Sequence, residues 1–133
     1  MIVVADIGFK SEESDFKMGD VEYEMVELLR RLNINRPVAY TLACLSKGDE
    51  ISSQCIEMVS GLRQPEVSIA MRYLRENNWV EMREEKKNQG KGRPVKLYKL
   101  TVRMETIIDA IEVNVMAESR TVIQNIERLK SLS

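Results

Sequence analysis

The stretch GLRQPEVSIAMRYLRENNWVEMREEKKNQGKGRPVKLYKL, Gly61–Leu100, decides the fold. Gly61 to Gln64 read as a tight turn, and Pro65 sits in the first turn of a helix, where its missing N–H costs nothing. Val67, Ala70, Met71 and Leu74 recur at helical spacing and form one apolar stripe, which the pair Asn77-Asn78 ends. WVEMREE, Trp79–Glu85, then reads as a strand, and VKLYKL, Val95–Leu100, as a second one with alternating apolar positions. Between them, KKNQGKGRP carries two glycines that permit turn geometry and Pro94, which limits the strand start.

Working outward, three more helices precede this stretch. Asp20 is the expected N-cap of the first, whose apolar residues Val21, Met25, Leu28, Leu29 and Leu32 follow at helical spacing. Asn35 caps the second, with Pro37 in its first turn, Val38, Leu42 and Leu45 facing inward, and Gly48 closing it. Ser52 or Ser53 starts the third, with Ile56 and Val59 inward and Gly61 at its end. A helix, a short glycine-containing turn and a second helix make a helix-turn-helix. Two strands joined by a basic loop directly afterwards make it a winged helix. The expected class is mainly α with a small β-hairpin (α+β). The expected divisions are an N-terminal segment 1–18, a winged helix-turn-helix domain 19–101 and a C-terminal helix 102–133.

Charge supports a polyanion partner. The chain has a formal net charge of -1, yet Arg63–Arg103 holds eleven Lys/Arg against five Asp/Glu, and the remainder nine against sixteen. A basic segment on an acidic body is the pattern of a polyanion-binding face. On this reading Lys86, Lys87, Lys91, Arg93 and Lys96 of the hairpin approach phosphates. The plainer reading is a solvated hairpin whose lysines protect its edge from aggregation.

Two segments carry a family resemblance. LRQPEVSIAMRYLRENNWVE, Leu62–Glu81, is similar to the recognition helix and first wing strand of the winged helix-turn-helix transcriptional regulators of archaea and bacteria, of MarR, ArsR and TrmB-like type. GKGRPVKLYKLT, Gly90–Thr101, resembles their second wing strand. The likeness covers about residues 20 to 102 and implies a dimeric, cytoplasmic regulator that binds double-stranded DNA. Metal-sensing members use Cys/His clusters, whereas this chain has no histidine and two separated cysteines, Cys44 and Cys55. Sugar-binding members carry a large C-terminal domain, for which 133 residues leave no room.

Recognition helices lie in the major groove with their N-terminal residues at base edges. The outward positions are Gln64, Pro65, Glu66, Ser68, Ile69, Arg72 and Arg75. Gln64 suits adenine, Arg72 suits guanine, Ile69 a thymine methyl, and Ser68 either bases or phosphate. Arg63 and Arg75 suit phosphates. Glu66 either selects cytosine or favours the helix N-terminus electrostatically. Each of these positions is also compatible with an ordinary exposed side chain.

After Thr101, the expected cap, no glycine or proline occurs before the chain ends. Ile108, Val115, Val122 and Leu129 fall seven apart, and Ile111 and Ile126 extend their stripe. The reading is a homodimer interface; the alternative is a helix folded back within one chain. A two-fold dimer places two recognition helices about 34 Å apart on successive major grooves.

No nucleophile–base pair, metal cluster or phosphate loop occurs, so neither an enzyme nor a cofactor is expected. The cysteines read as small buried apolar residues. No apolar run is long enough for a membrane span. No polar constellation names a small-molecule effector. The reading from another class is a winged-helix module that binds protein.

Overall fold

A computed structural model describes residues 16–86 and 94–133. The chain divides into two compact units, residues 1–101 and 102–133. It is mainly α-helical, with a small open sheet of three strands.

Helix α1, Asp20–Arg31, begins one residue earlier than Asp20 as a cap requires, because Gly19 takes the N-cap position. Its N–H donates to Glu22 Oε1 at 2.8 Å. That bond turns Glu22 inward, and with Val26 and Leu29 it makes the buried face. The face is rotated from the expected one: Val21, Leu28 and Leu32 are 66%, 49% and 41% exposed. Lys47 Nζ lies 3.8 Å from the other Glu22 oxygen and balances its charge.

Asn33 ends the α1 connection in the left-handed region, φ 69°. Asn33 N–H donates to Arg30 C=O and Ile34 N–H to Leu29 C=O, so the last carbonyls are satisfied by a Schellman pair. Helix α2, Arg36–Leu45, follows with Asn35 Oδ1 accepting from Val38 N–H at 3.0 Å. Seven of its ten residues are buried, so it is the central element of the unit. Helix α3, Ser53–Ser60, is capped by Ser52 Oγ, which accepts from Cys55 N–H at 3.0 Å. Gly61 closes it at φ 77°, a conformation that a side chain would strain.

Helix α4, Gln64–Glu76, has Arg63 at its N-cap, and Glu66 Oε1 accepts from Arg63 N–H at 2.9 Å. Its buried residues are the expected Val67, Ala70, Met71 and Leu74. Asn78 at φ 61° repeats the α1 ending: Asn78 N–H donates to Arg75 C=O and Trp79 N–H to Leu74 C=O. Trp79 is thereby turned into the core, where its ring meets Tyr73 edge-on at 6.0 Å.

Three strands form the sheet: β1, Ile51–Ser52, β2, Val80–Glu85, and β3, Val95–Leu100. They stand in the order β1-β3-β2, all antiparallel, with Val80 opposite Leu100, Glu85 opposite Val95 and Ile51 opposite Tyr98. The two-residue β1 was not anticipated. Thr101 is not the cap of the last helix. It closes the sheet instead, donating its N–H to Trp79 C=O at 2.8 Å and its hydroxyl to Asn78 C=O at 2.6 Å.

Helix α5, Met104–Leu132, is the second unit and is capped at Arg103. Its 29 residues extend about 44 Å at 1.5 Å per residue. Ile107 and Ile111 are buried, while Ile108, Val122, Ile126 and Leu129 stay between 46% and 67% exposed and Val115 is half-buried.

Candidate nucleic-acid interface

The register of α4 follows from its stripe. With Val67, Ala70, Met71 and Leu74 fixed in the core, Gln64, Ser68, Ile69, Arg72 and Arg75 are left on the open side, and Arg63 stands exposed at the cap. Gln64 Nε2 donates to Ser68 Oγ at 2.8 Å, one turn apart, which orders both polar groups on this face. Ile69 is 55% exposed beside them.

Glu66 is occupied otherwise. One carboxylate oxygen caps Arg63 N–H, and the other meets Arg36 Nη1 at 3.4 Å. Arg36 in turn lies 5.3 Å from the Tyr40 ring centroid. Both carboxylate oxygens therefore have protein partners. Arg36 did not stand out in the sequence, since it precedes Pro37 at the start of a different helix.

Arg72, Arg75 and Lys96 form no ion pair with any described residue, although Asp/Glu outnumber Lys/Arg in the chain. They border a cleft of about 500 Å³ between α4 and β3. Ser68, Glu76 and the buried Met71 complete its α4 side, and the buried Tyr98 lines it from β3. Glu84 stands opposite Lys96 in the β2–β3 register. Tyr98 entered the sequence reading only as a strand residue; its period-2 match with Lys96 is the signal that places both on this side of the sheet.

Lys86 is exposed just after β2. Lys87, Lys91 and Arg93, the other expected hairpin contacts, lie outside the described residues. Arg83 differs from these cations. It holds Glu50 in a bidentate pair, Nε to Oε2 at 2.7 Å and Nη2 to Oε1 at 2.8 Å. The hydrogen bonds to Arg83 keep the Glu50 carboxyl below the usual carboxylate range.

Cys44 and Cys55 are both buried and unbridged. Burial first, then the neighbouring Cys55 and Glu22, pushes the Cys44 thiol up to about 12. Among the described residues no group of His, Cys, Asp or Glu could hold a metal ion. No described helix is long and apolar enough to cross a membrane. No protein-family model matches the chain, and no curated protein matches it significantly.

Proposed function

We propose that this protein is a dimeric transcriptional regulator that binds double-stranded DNA in a sequence-specific manner. The architecture is then a winged helix-turn-helix with a C-terminal dimerisation helix. In this reading α3, the Gly61–Arg63 turn and α4 are the helix-turn-helix, and β2, the basic loop and β3 are the wing. Helix α4 enters the major groove with Gln64, Ser68, Ile69 and Arg72 towards base edges. Arg63, Arg75, Lys86 and Lys96 meet the phosphates.

The observation that carries the proposal is that Arg72, Arg75 and Lys96, around one cleft of an acidic chain, form no ion pair with any described residue. Surface arginines near carboxylates commonly pair, as Arg31 does with Glu27 and Arg83 with Glu50. Cations left open on a shared face suit an external anion. The dimer is supported by the stripe Ile108, Val122, Ile126 and Leu129, which a single chain leaves open to solvent. Ile111 is already buried and adds little to such an interface.

The test is Arg72→Ala against specific and random duplexes. Loss of one bidentate guanine contact costs about 1–3 kcal/mol at the specific site alone. Equal loss on both duplexes removes Arg72 from base reading.

A protein-binding module is the second reading, favoured by the ridge Val21, Leu28 and Leu32 that α1 exposes on the first unit. It predicts no duplex preference and a partner that buries this ridge.

A further inference from the structure

We infer that the cleft between α4 and β3 is a built seat for one phosphoryl oxyanion, with the Tyr98 hydroxyl, Arg75 and Lys96 as its donors and Arg72 at its rim. If the oxyanion is a DNA backbone phosphate, the inference rests on the regulator reading and deepens it; if it is the phosphoryl group of a free compound, it stands without that reading.

Tyr98 is the decisive residue. It is 6% exposed and belongs to the lining of the cleft. No described residue hydrogen-bonds its hydroxyl, and the oxygen keeps contact with solvent. A phenol with access to water is hydrated in the free protein and can exchange that water for an anion. Nothing in the packing of the ring requires this oxygen: β3 could carry phenylalanine here and fill the same space. A phenol in the lining of a cleft whose rim is cationic can donate to an anion bound there.

The electrostatics agree. Burial raises the Tyr98 phenol above its ordinary range, more than Arg75 lowers it, so the group stays protonated and acts as a donor near neutrality. Glu76 and Glu84 are the carboxylates near the cleft, and neither forms an ion pair with Arg72, Arg75 or Lys96. Three cations therefore face two acids and one neutral donor. Guanidinium, ammonium and phenol donors meeting from a helix and a strand match an anion with several oxygens set at tetrahedral angles better than a planar carboxylate. The volume, about 500 Å³, admits a phosphoryl group together with the group it esterifies.

The experiment uses the full chain, with Tyr98→Phe, which keeps the ring, and Lys96→Gln. Each is titrated with a duplex containing the preferred site and, separately, with inorganic pyrophosphate, while the Tyr98 ring resonances are followed by NMR. Unchanged unfolding midpoints for both variants establish that the fold is intact. For a backbone phosphate, Tyr98→Phe weakens duplex binding about tenfold at an unchanged salt slope, since the lost donor is neutral. Lys96→Gln lowers the slope by about one. For a free phosphorylated compound, pyrophosphate shifts the Tyr98 ring and Tyr98→Phe abolishes its binding, whether or not the duplex binds. The inference is overturned if both variants bind the duplex like wild type and pyrophosphate leaves Tyr98 unmoved; duplex binding by wild type would then leave the regulator reading intact. It is equally overturned if neither probe binds.

Discussion

Thr41 offers the sharpest test of the packing. Its side chain is wholly buried in the middle of α2, and its hydroxyl has no partner among the described residues. Thr41→Val replaces that hydroxyl with a methyl group of similar size. Both side chains are β-branched and have similar helix propensity, so rotamer and backbone terms nearly cancel. What remains is the desolvation of an unmade hydrogen bond, about 1–3 kcal/mol in protein mutational data. Taking the lower half of that range, Thr41→Val should stabilise the protein by about 1–2 kcal/mol. For a unit of this size that is a rise in Tm of roughly 5–10 °C. Guanidinium chloride unfolding measures it directly: the midpoint should rise while the m-value stays constant. Thr41→Ser is the control, since it keeps the hydroxyl, loses a methyl and should lower the midpoint. A midpoint for Thr41→Val at or below wild type would refute the reasoning, because it would mean that the hydroxyl makes a bond the geometry does not contain.

Three further outcomes are expected. Glu50→Gln removes a carboxylate whose pKa is lowered in the fold, a contribution present above the unfolded carboxylate pKa and lost as pH falls through the folded one. Because Arg83 is about half exposed, the loss near neutrality should be no more than about 1 kcal/mol, and the acid limb of stability against pH should become shallower; parallel limbs would contradict it. Neither cysteine should react with a thiol reagent in the native protein, since both are buried and the Cys44 thiol is pushed up to about 12; labelling faster than unfolding would contradict this. Val122→Glu with Leu129→Glu should give monomers in sedimentation with helicity retained, because both positions are exposed in the single chain; dimers that persist would move the interface elsewhere.

Much of the first unit was legible because its signals are local. Asn35, Ser52 and Gly61 cap or close helices through bonds to residues three or four away, and a sequence displays such spacings. The α4 stripe is equally plain, since a polar side separates its apolar positions without ambiguity. Helix α1 was misread by one position because two stripes compete there. The chosen one had more apolar residues, whereas the true one includes an acid, Glu22, that is buried by its own capping bond. β1 and the role of Thr101 depend on partners dozens of positions away, Tyr98 for Ile51 and Asn78 for Thr101, and no local period announces them.

The same division applies to the site. That α4 turns Arg72 and Arg75 outward follows from its period. That neither pairs with a described residue while Arg83 reaches Glu50, 33 positions away, is a tertiary fact. Tyr98 reads only as a strand residue in the sequence; its place in the cleft lining is what separates it from Leu97 and Leu100.

The most direct measurement is a fluorescence-anisotropy titration of the full chain against genomic fragments, including the region upstream of its own gene, over a series of salt concentrations. The account predicts tight binding to one fragment above the rest, with log K falling linearly in log salt as several phosphate contacts release counterions. Weak, equal binding to every fragment, or a preference that does not change with salt, would contradict it.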